Sequence, residues 1–368
     1  ASAIGGAGIF WCCRQSALST SAALIAASCM TLSGVFLVKL VVGHLLYYHL
    51  LLAPLIAACL LRAKDHFLSS RPLKTFAFTG TAAMLTSLSI YGGVAGFLLP
   101  FMASILLLWL MSGGLREQVM RPMALFVIYL GLSAVLSAPK VEASLSLFAT
   151  IGNRDFYSLP GFDFKGLLSY IGSALFLVPD ADKINSSMSN ASWYMGWHEI
   201  YVGLPQLGLI SAVAYVIFNP TSLKGLSVNN YGRFGSFVIL MLLLLPLVLN
   251  YYSPSWHGVI KALPVLGDSS NMLRWSCLYV PAFAMGVGQI FRNVDLFAPR
   301  PAALVIAMMF ITSWWQYSVI SQHLLAKENF DPSSILAKWH SDPKRVLPIK
   351  FVGLATNDDG KGGRVAVH

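Results

Sequence analysis

"GSFVILMLLLLPLVLN", residues 235–250, runs sixteen positions without a charge. Such a stretch is either the buried helix of a soluble core or part of a membrane span, which needs ~20 mostly apolar residues. The rest of the chain decides between them. Of its 368 residues 56% are hydrophobic and 11% are charged, where a soluble domain of this size carries about 25% charged residues. Comparable apolar stretches recur at about 18–40, 45–62, 74–91, 94–112, 122–138, 201–218, 276–291 and 302–320. With 235–250 they make nine expected crossings, so the predicted fold class is an all-α polytopic membrane protein with about nine transmembrane helices.

Charge gives the orientation. Arg14, Arg62, Lys64, Arg71, Lys74, Arg116, Arg121, Lys224, Arg233, Arg292 and Arg300 share one side of this topology, eleven basic residues against Asp65, Glu117 and Asp295. The opposite loops, 139–200 and 251–275, hold six basic and seven acidic residues. Basic loops face the cytoplasm, so 63–73, 113–121 and 219–234 are predicted inside, and 139–200, 251–275 and 321–368 outside. Basic membrane loops also account for the net charge of +10, and no nucleic-acid partner is called for. The chain thereby divides into an N-terminal transmembrane bundle (1–138), an outside loop with an interfacial helix (139–200), a C-terminal transmembrane bundle (201–320) and a polar outside tail (321–368). "DFKGLLSYIGSALFLV" (163–178) reads as that interfacial helix, and "RVLPIKFVGLA" in the tail reads as a strand.

The first residues, "ASAIGGAGIFWCC", are apolar but too short to span. They lack the basic start and cleavage site of a signal peptide. They read as a half-helix arriving from outside, whose earlier part is missing or supplied by another chain; a re-entrant or interfacial segment is the alternative. Cys12, Cys13, Cys29, Cys59 and Cys277 all fall in apolar stretches without metal-site spacing and read as core residues; no metal or cofactor is expected.

The ionisable residues of the outside face form one pattern: Lys39, His44, His49, Lys140, Glu142, Arg154, Asp155, His198, Glu199, His257, Asp268 and Arg274. Seven of the eight histidines (44, 49, 198, 257, 323, 340 and 368) map there, and only His66 maps inside. Ionisable groups at membrane depth mark sites or pathways. "GWHEIYVGLP" (196–205) sets His198 and Glu199 just before an apolar run. Glu199 there is either the N-cap of a helix starting near 200 or a general base beside His198.

Four blocks carry a family resemblance: "GAGIFWCCRQSALSTSAALIAASCMTLSGVFLVKLVVGHLLYYHLLLAPLIAACLLR" (6–62), "GLSAVLSAPKVEASLSLFATIGNRD" (131–155), "WHEIYVGLPQLGLISA" (197–212) and "LPVLGDSSNMLRWSCLYVP" (263–281). In this order they resemble landmarks of bacterial GT-C superfamily membrane glycosyltransferases. The resemblance implies an inner-membrane protein with a periplasm-facing site that takes sugar from a polyprenyl-phosphate carrier. An acidic residue of the first outside loop acts as base, and basic residues hold the lipid phosphate. By position His44 matches the family's Gly-His, His198 and Glu199 its Trp-His-Glu, and Arg274 the first Arg of its late loop. Lys39, Lys140 and Arg154 suit the phosphate. These residues are expected to converge on one outward cavity. The sequence departs from the family at the second Arg of the late loop and in a shorter Tyr stretch, and no block matches the acid-bearing loop. Two readings follow: a sugar transferase completed by a partner chain, or a non-catalytic GT-C-like subunit of a larger membrane complex.

Overall fold

The computed structural model describes residues 2–36, 45–92, 98–113, 120–151, 164, 165, 167, 168, 172, 175, 202–226, 228–251, 253–263, 272–292, 303–315, 318, 340 and 341. Among these, every regular element is a helix. The chain divides into two units, Ala1–Ser321 and Gln322–His368. The proposed strand within the tail lies outside the described residues.

The first unit contains α1 (Ser2–Gln15), α2 (Thr20–Thr31), α3 (Ala53–Leu68), α4 (Pro72–Tyr91), α5 (Leu98–Met111) and α6 (Met120–Ile151). These are followed by α7 (Gln206–Phe218), α8 (Val228–Asn250), α9 (Pro254–Ala262), α10 (Tyr279–Ile290) and α11 (Ala303–Trp315). Short 3-10 turns precede α3 (Leu45–Leu52) and α10 (Met272–Leu278). Local chemistry sets several starts. Ser19 Oγ accepts from Ala22 N at 3.2 Å to cap α2, and Ser253 Oγ accepts from Trp256 N at 3.2 Å to cap α9. Prolines open the first turns of α3, α4 and α9, where a missing N–H costs nothing.

α1 is a core element. Gly5, Gly6 and Gly8 are buried. They let the helix lie against Leu51, Pro54 and Leu55 on one side and Thr31 on the other. Cys12 Sγ donates to the carbonyl of Pro54 at 3.3 Å. All five cysteines are buried, and two of their sulfurs touch methionine: Cys13 with Met285 (3.7 Å) and Cys29 with Met309 (3.5 Å). Soft sulfur contacts of this kind suit a core of small and irregular side chains.

The pattern of α4 is inverted relative to a soluble amphipathic helix. Its buried face is Thr75, Thr79, Ala82, Ala83, Thr86, Ser87, Ser89 and Ile90. Its outer face carries Leu73 (81% exposed), Phe76 (66%), Met84, Leu88 and Tyr91. The hydroxyls bond backward or across: Thr79 Oγ1 to the carbonyl of Thr75 (2.8 Å), Thr86 Oγ1 with Tyr129 Oη (2.7 Å), Ser87 Oγ to the carbonyl of Leu136 (3.1 Å). Small and hydroxylated residues at helix contacts are the packing mode of helices in lipid. Large apolar side chains are also exposed on α6 (Val127, Val135), α7 (Ile217, Phe218) and α11 (Ile311, Trp314).

Two helices, Met123–Ser146 within α6 and Gly232–Asn250 within α8, are long and apolar enough to cross a membrane. Thr20–Phe36, Leu98–Met111, Gln206–Phe218 and Ala303–Trp315 are apolar but shorter. Three boundaries differ from expectation. The helix expected to end at 138 continues through Pro139 to Ile151; a proline inside a helix costs one hydrogen bond but need not end it. α7 starts at Gln206, not near 200, because Gly203 (φ 57°) and extended Pro205 hold the chain out of the helix. Glu199 is therefore not its N-cap. Gly232 (φ 71°, ψ 160°) breaks the helical path at the start of α8.

The basic ends of α1, α3 and α4 meet. Arg14 Nη1 donates to the carbonyl of Leu18 at 2.7 Å. With the Gln15 amide oriented by its hydrogen-bond network, Trp11 Nε1 donates to Gln15 Oε1 (2.8 Å) and Gln15 Nε2 donates to Asp65 Oδ2 (3.0 Å). Buried His66 stacks on Phe78, with ring centroids 5.5 Å apart. Burial, then Arg62, Lys74 and Arg71, push its pKa below the ordinary histidine range, against the opposing pull of Asp65. An unfolded histidine titrates near ~6.5, so the unfolded chain binds the proton that folded His66 refuses. This contribution is intact above pH ~6.5 and is lost as the pH falls from there toward the folded value. The expected result is a lower thermal-unfolding midpoint at about pH 5.5 than at about pH 7.5. His66→Phe, which keeps the stack, should narrow that gap; an unaltered gap excludes His66 as its source.

Candidate functional site

The end of the bundle opposite this basic cluster carries a backbone tie. Beyond α2, Gly34 N donates to the carbonyl of Gly203 (2.8 Å), Val35 N to that of Val202 (3.1 Å), and Ser33 Oγ also to that of Val202 (2.9 Å). Leu204 N donates in turn to the carbonyl of Leu175 (2.7 Å). Val35, Phe36, Val202 and Leu204 are buried in the main apolar core. Gly203 supplies the left-handed φ of 57° that turns the chain from this tie toward α7. Polar backbone in an apolar setting must find partners, and here the N–H groups of Gly34 and Val35, in the helical turn 34–36, are satisfied by the carbonyls of Gly203 and Val202 in a non-helical segment far along the chain.

The tie matters because of what its two sides lead to. In sequence Lys39 is three residues past Phe36, and Glu199 is three residues before Val202. The structure therefore joins the roots of the two segments that carry Lys39 and His44 on one side and His198 and Glu199 on the other. Lys39, His44, Arg154, His198 and Glu199 themselves lie outside the described residues. Lys140 is half-buried within α6, one residue after Pro139, and Glu142, two residues on, is exposed. Arg274 belongs to the 3-10 turn Met272–Leu278. There Trp275 and Leu278 pack with Leu249 and Ile260 in a small apolar cluster, separate from the core that holds Val35 and Val202.

Two features near these segments were not anticipated. His49 lies directly over Gly92, the C-cap residue of α4, where any side chain would collide with the imidazole. The sequence signal was the "YGG" that closes the α4 stretch. Near the same end Ser313 Oγ donates to the carbonyl of Leu32 at 3.2 Å, fixing α11 to the end of α2. Among the described residues, no group of three or more His, Cys, Asp or Glu side chains is placed to hold a metal ion. No family model, no curated protein and no solved structure matches this chain.

Proposed function

We propose that this chain is a multi-pass membrane protein whose outer face binds a polyprenyl-phosphate-linked sugar, in the manner of the GT-C glycosyltransferases that its sequence blocks resemble. The observation that carries this reading is the Val35–Val202 tie. It joins Val35, four residues before Lys39, to Val202, three residues after Glu199, which supports a shared site for the two segments. In this reading Lys39 and His44 hold the phosphate of the donor, and Glu199 with His198 accepts the proton. The membrane part of the reading is supported by the inverted face of α4 and by the exposed apolar side chains of α6, α7 and α11. Such apolar surface is costly in water and favoured in hydrocarbon. The nine-crossing topology belongs to this proposal: the two longer helices, the four shorter apolar ones, and α3, α4 and α10 would make the nine.

One labelling experiment tests both parts. The native cysteines are buried and should stay silent toward maleimides in the folded protein. In sealed, oriented vesicles, an impermeant maleimide added outside should label cysteines introduced as Ser187→Cys and His44→Cys but not as Ser69→Cys. Undecaprenyl phosphate should then protect the His44→Cys site and leave the Ser187→Cys site reactive. Labelling of the Ser69 and Ser187 sites from one side ends the topology. Equal reactivity at the His44 site with and without the lipid phosphate ends the binding assignment.

A further inference from the structure

We propose that the basic end of the α3–α4 hairpin is a binding site for the phosphate of an anionic phospholipid, whose acyl chains run along the outer face of α4. The inference rests on the membrane reading above but concerns the face opposite the sugar site. Arg62, Lys64, Arg71 and Lys74 come from the last turns of α3, the connecting turn and the first turn of α4. Arg62, Arg71 and Lys74 are exposed. Lys64 keeps only 7% of its surface accessible, so its stem packs in the protein. Asp65 is the one carboxylate in this hairpin end, and it already receives the Gln15 amide. Neighbouring cations also favour neutral His66. Four cations thus stand against one engaged acid, a local excess that calls for an external anion.

The neighbouring surface says which anion. Leu73 lies between Arg71 and Lys74 in sequence and is the most exposed large apolar residue of the hairpin at 81%. Phe76 and Phe67 are exposed beside it. A basic rim directly above exposed hydrocarbon matches a molecule with a phosphate at one end and acyl chains below. A free phosphate would use the rim and leave the apolar strip bare. Each basic residue near an anionic membrane surface contributes ~1 kcal/mol, roughly fivefold in affinity.

The test titrates the full chain in neutral detergent with phosphatidylglycerol, phosphatidylcholine and glycerol phosphate, and reads lipid retention by native mass spectrometry. Phosphatidylglycerol should bind, phosphatidylcholine should not, and glycerol phosphate should bind weakly. The double variant Arg71→Gln/Lys74→Gln should weaken phosphatidylglycerol binding roughly 25-fold. Arg233→Gln/Arg292→Gln, near the ends of α8 and α10, should leave it unchanged. Equal weakening by both double variants overturns the site in favour of diffuse charge attraction. Glycerol phosphate binding as tightly as the lipid overturns the acyl-chain part. A protein that inserts into phosphatidylcholine vesicles yet shows no preference for phosphatidylglycerol overturns this inference alone. A protein that fails to insert overturns the membrane reading, and the lipid site with it.

Discussion

Replacing Gly8 by alanine is expected to destabilise the folded bundle by about 1–3 kcal/mol, and replacing it by leucine to expel α1 from its seat. A Cβ at this position would lie 2.5 Å from the Leu55 nitrogen, 2.7 Å from the Pro54 carbonyl carbon and 2.8 Å from Pro54 Cβ. Two of these three atoms are backbone, and the third belongs to a rigid ring, so no rotamer change relieves the collision. The only relief is to move α1 off α3, which also breaks the Cys12–Pro54 contact of 3.3 Å. Gly80 in α4 and Gly131 in α6 are the controls, since a Cβ at either meets nothing within 4 Å. Alanine there should stabilise by about 0.5–1 kcal/mol through helix propensity alone. Thermal unfolding in detergent compares the three. If Gly8→Ala unfolds like Gly80→Ala, the close contact between α1 and α3 is wrong.

Sugar transfer from a polyprenyl-phosphate donor is expected to be undetectable with the purified chain alone. Removing a proton from an acceptor hydroxyl needs a positioned base, worth typically 10²–10⁴-fold in rate. In the GT-C pattern that base sits on a first outside loop, and no block of this sequence matches it. Glu199 is the resident substitute, and α7 starting at Gln206 frees it from a capping role. The assay follows radiolabelled sugar with the chain alone and with whatever co-purifies. Turnover by the chain alone, lowered about 10²–10⁴-fold by Glu199→Gln, would make Glu199 the base and overturn the expectation. Activity only with the partner supports a transferase completed by a second chain. A stable complex without activity supports the accessory-subunit reading.

Helical segments were the most legible part of the sequence, because each carries its own punctuation. The stretch expected at 74–91 is α4, from Pro72 to Tyr91, opened by a proline and closed at Gly92. By contrast α9, which Ser253 caps, falls in the stretch 251–275 that read as a loop. Less legible was whatever depends on a partner far along the chain. Pro139 looked like a stop, yet the helix runs on through it, with Ser87 bonded to the Leu136 carbonyl in the turn before. The "GGAG" of α1 read as part of a half-helix arriving from outside, or of a re-entrant or interfacial segment; its glycines have meaning only against Pro54 and Leu55. For the proposed site, charge and the expected topology single out residue types, whereas the tie between residues 33–35 and 202–203 has no local signature. Apart from Ser33 Oγ, it is made by backbone groups, which every residue carries.

The inverted face of α4 separates two design problems that are entangled in most helices. In a water-soluble helix the apolar residues that hold the core are also the ones that set folding, so polarity cannot be rewritten without touching the fold. On α4 the contacts to α6 are made by hydroxyls such as Thr86 and Ser87, while Leu73, Phe76, Met84 and Leu88 point away from the protein. The outward set can therefore be exchanged for Glu, Lys and Gln, which are strong helix formers, with the interior left as it is. Extended to the exposed apolar positions of α6, α7 and α11, the same exchange is a recipe for a detergent-free analogue.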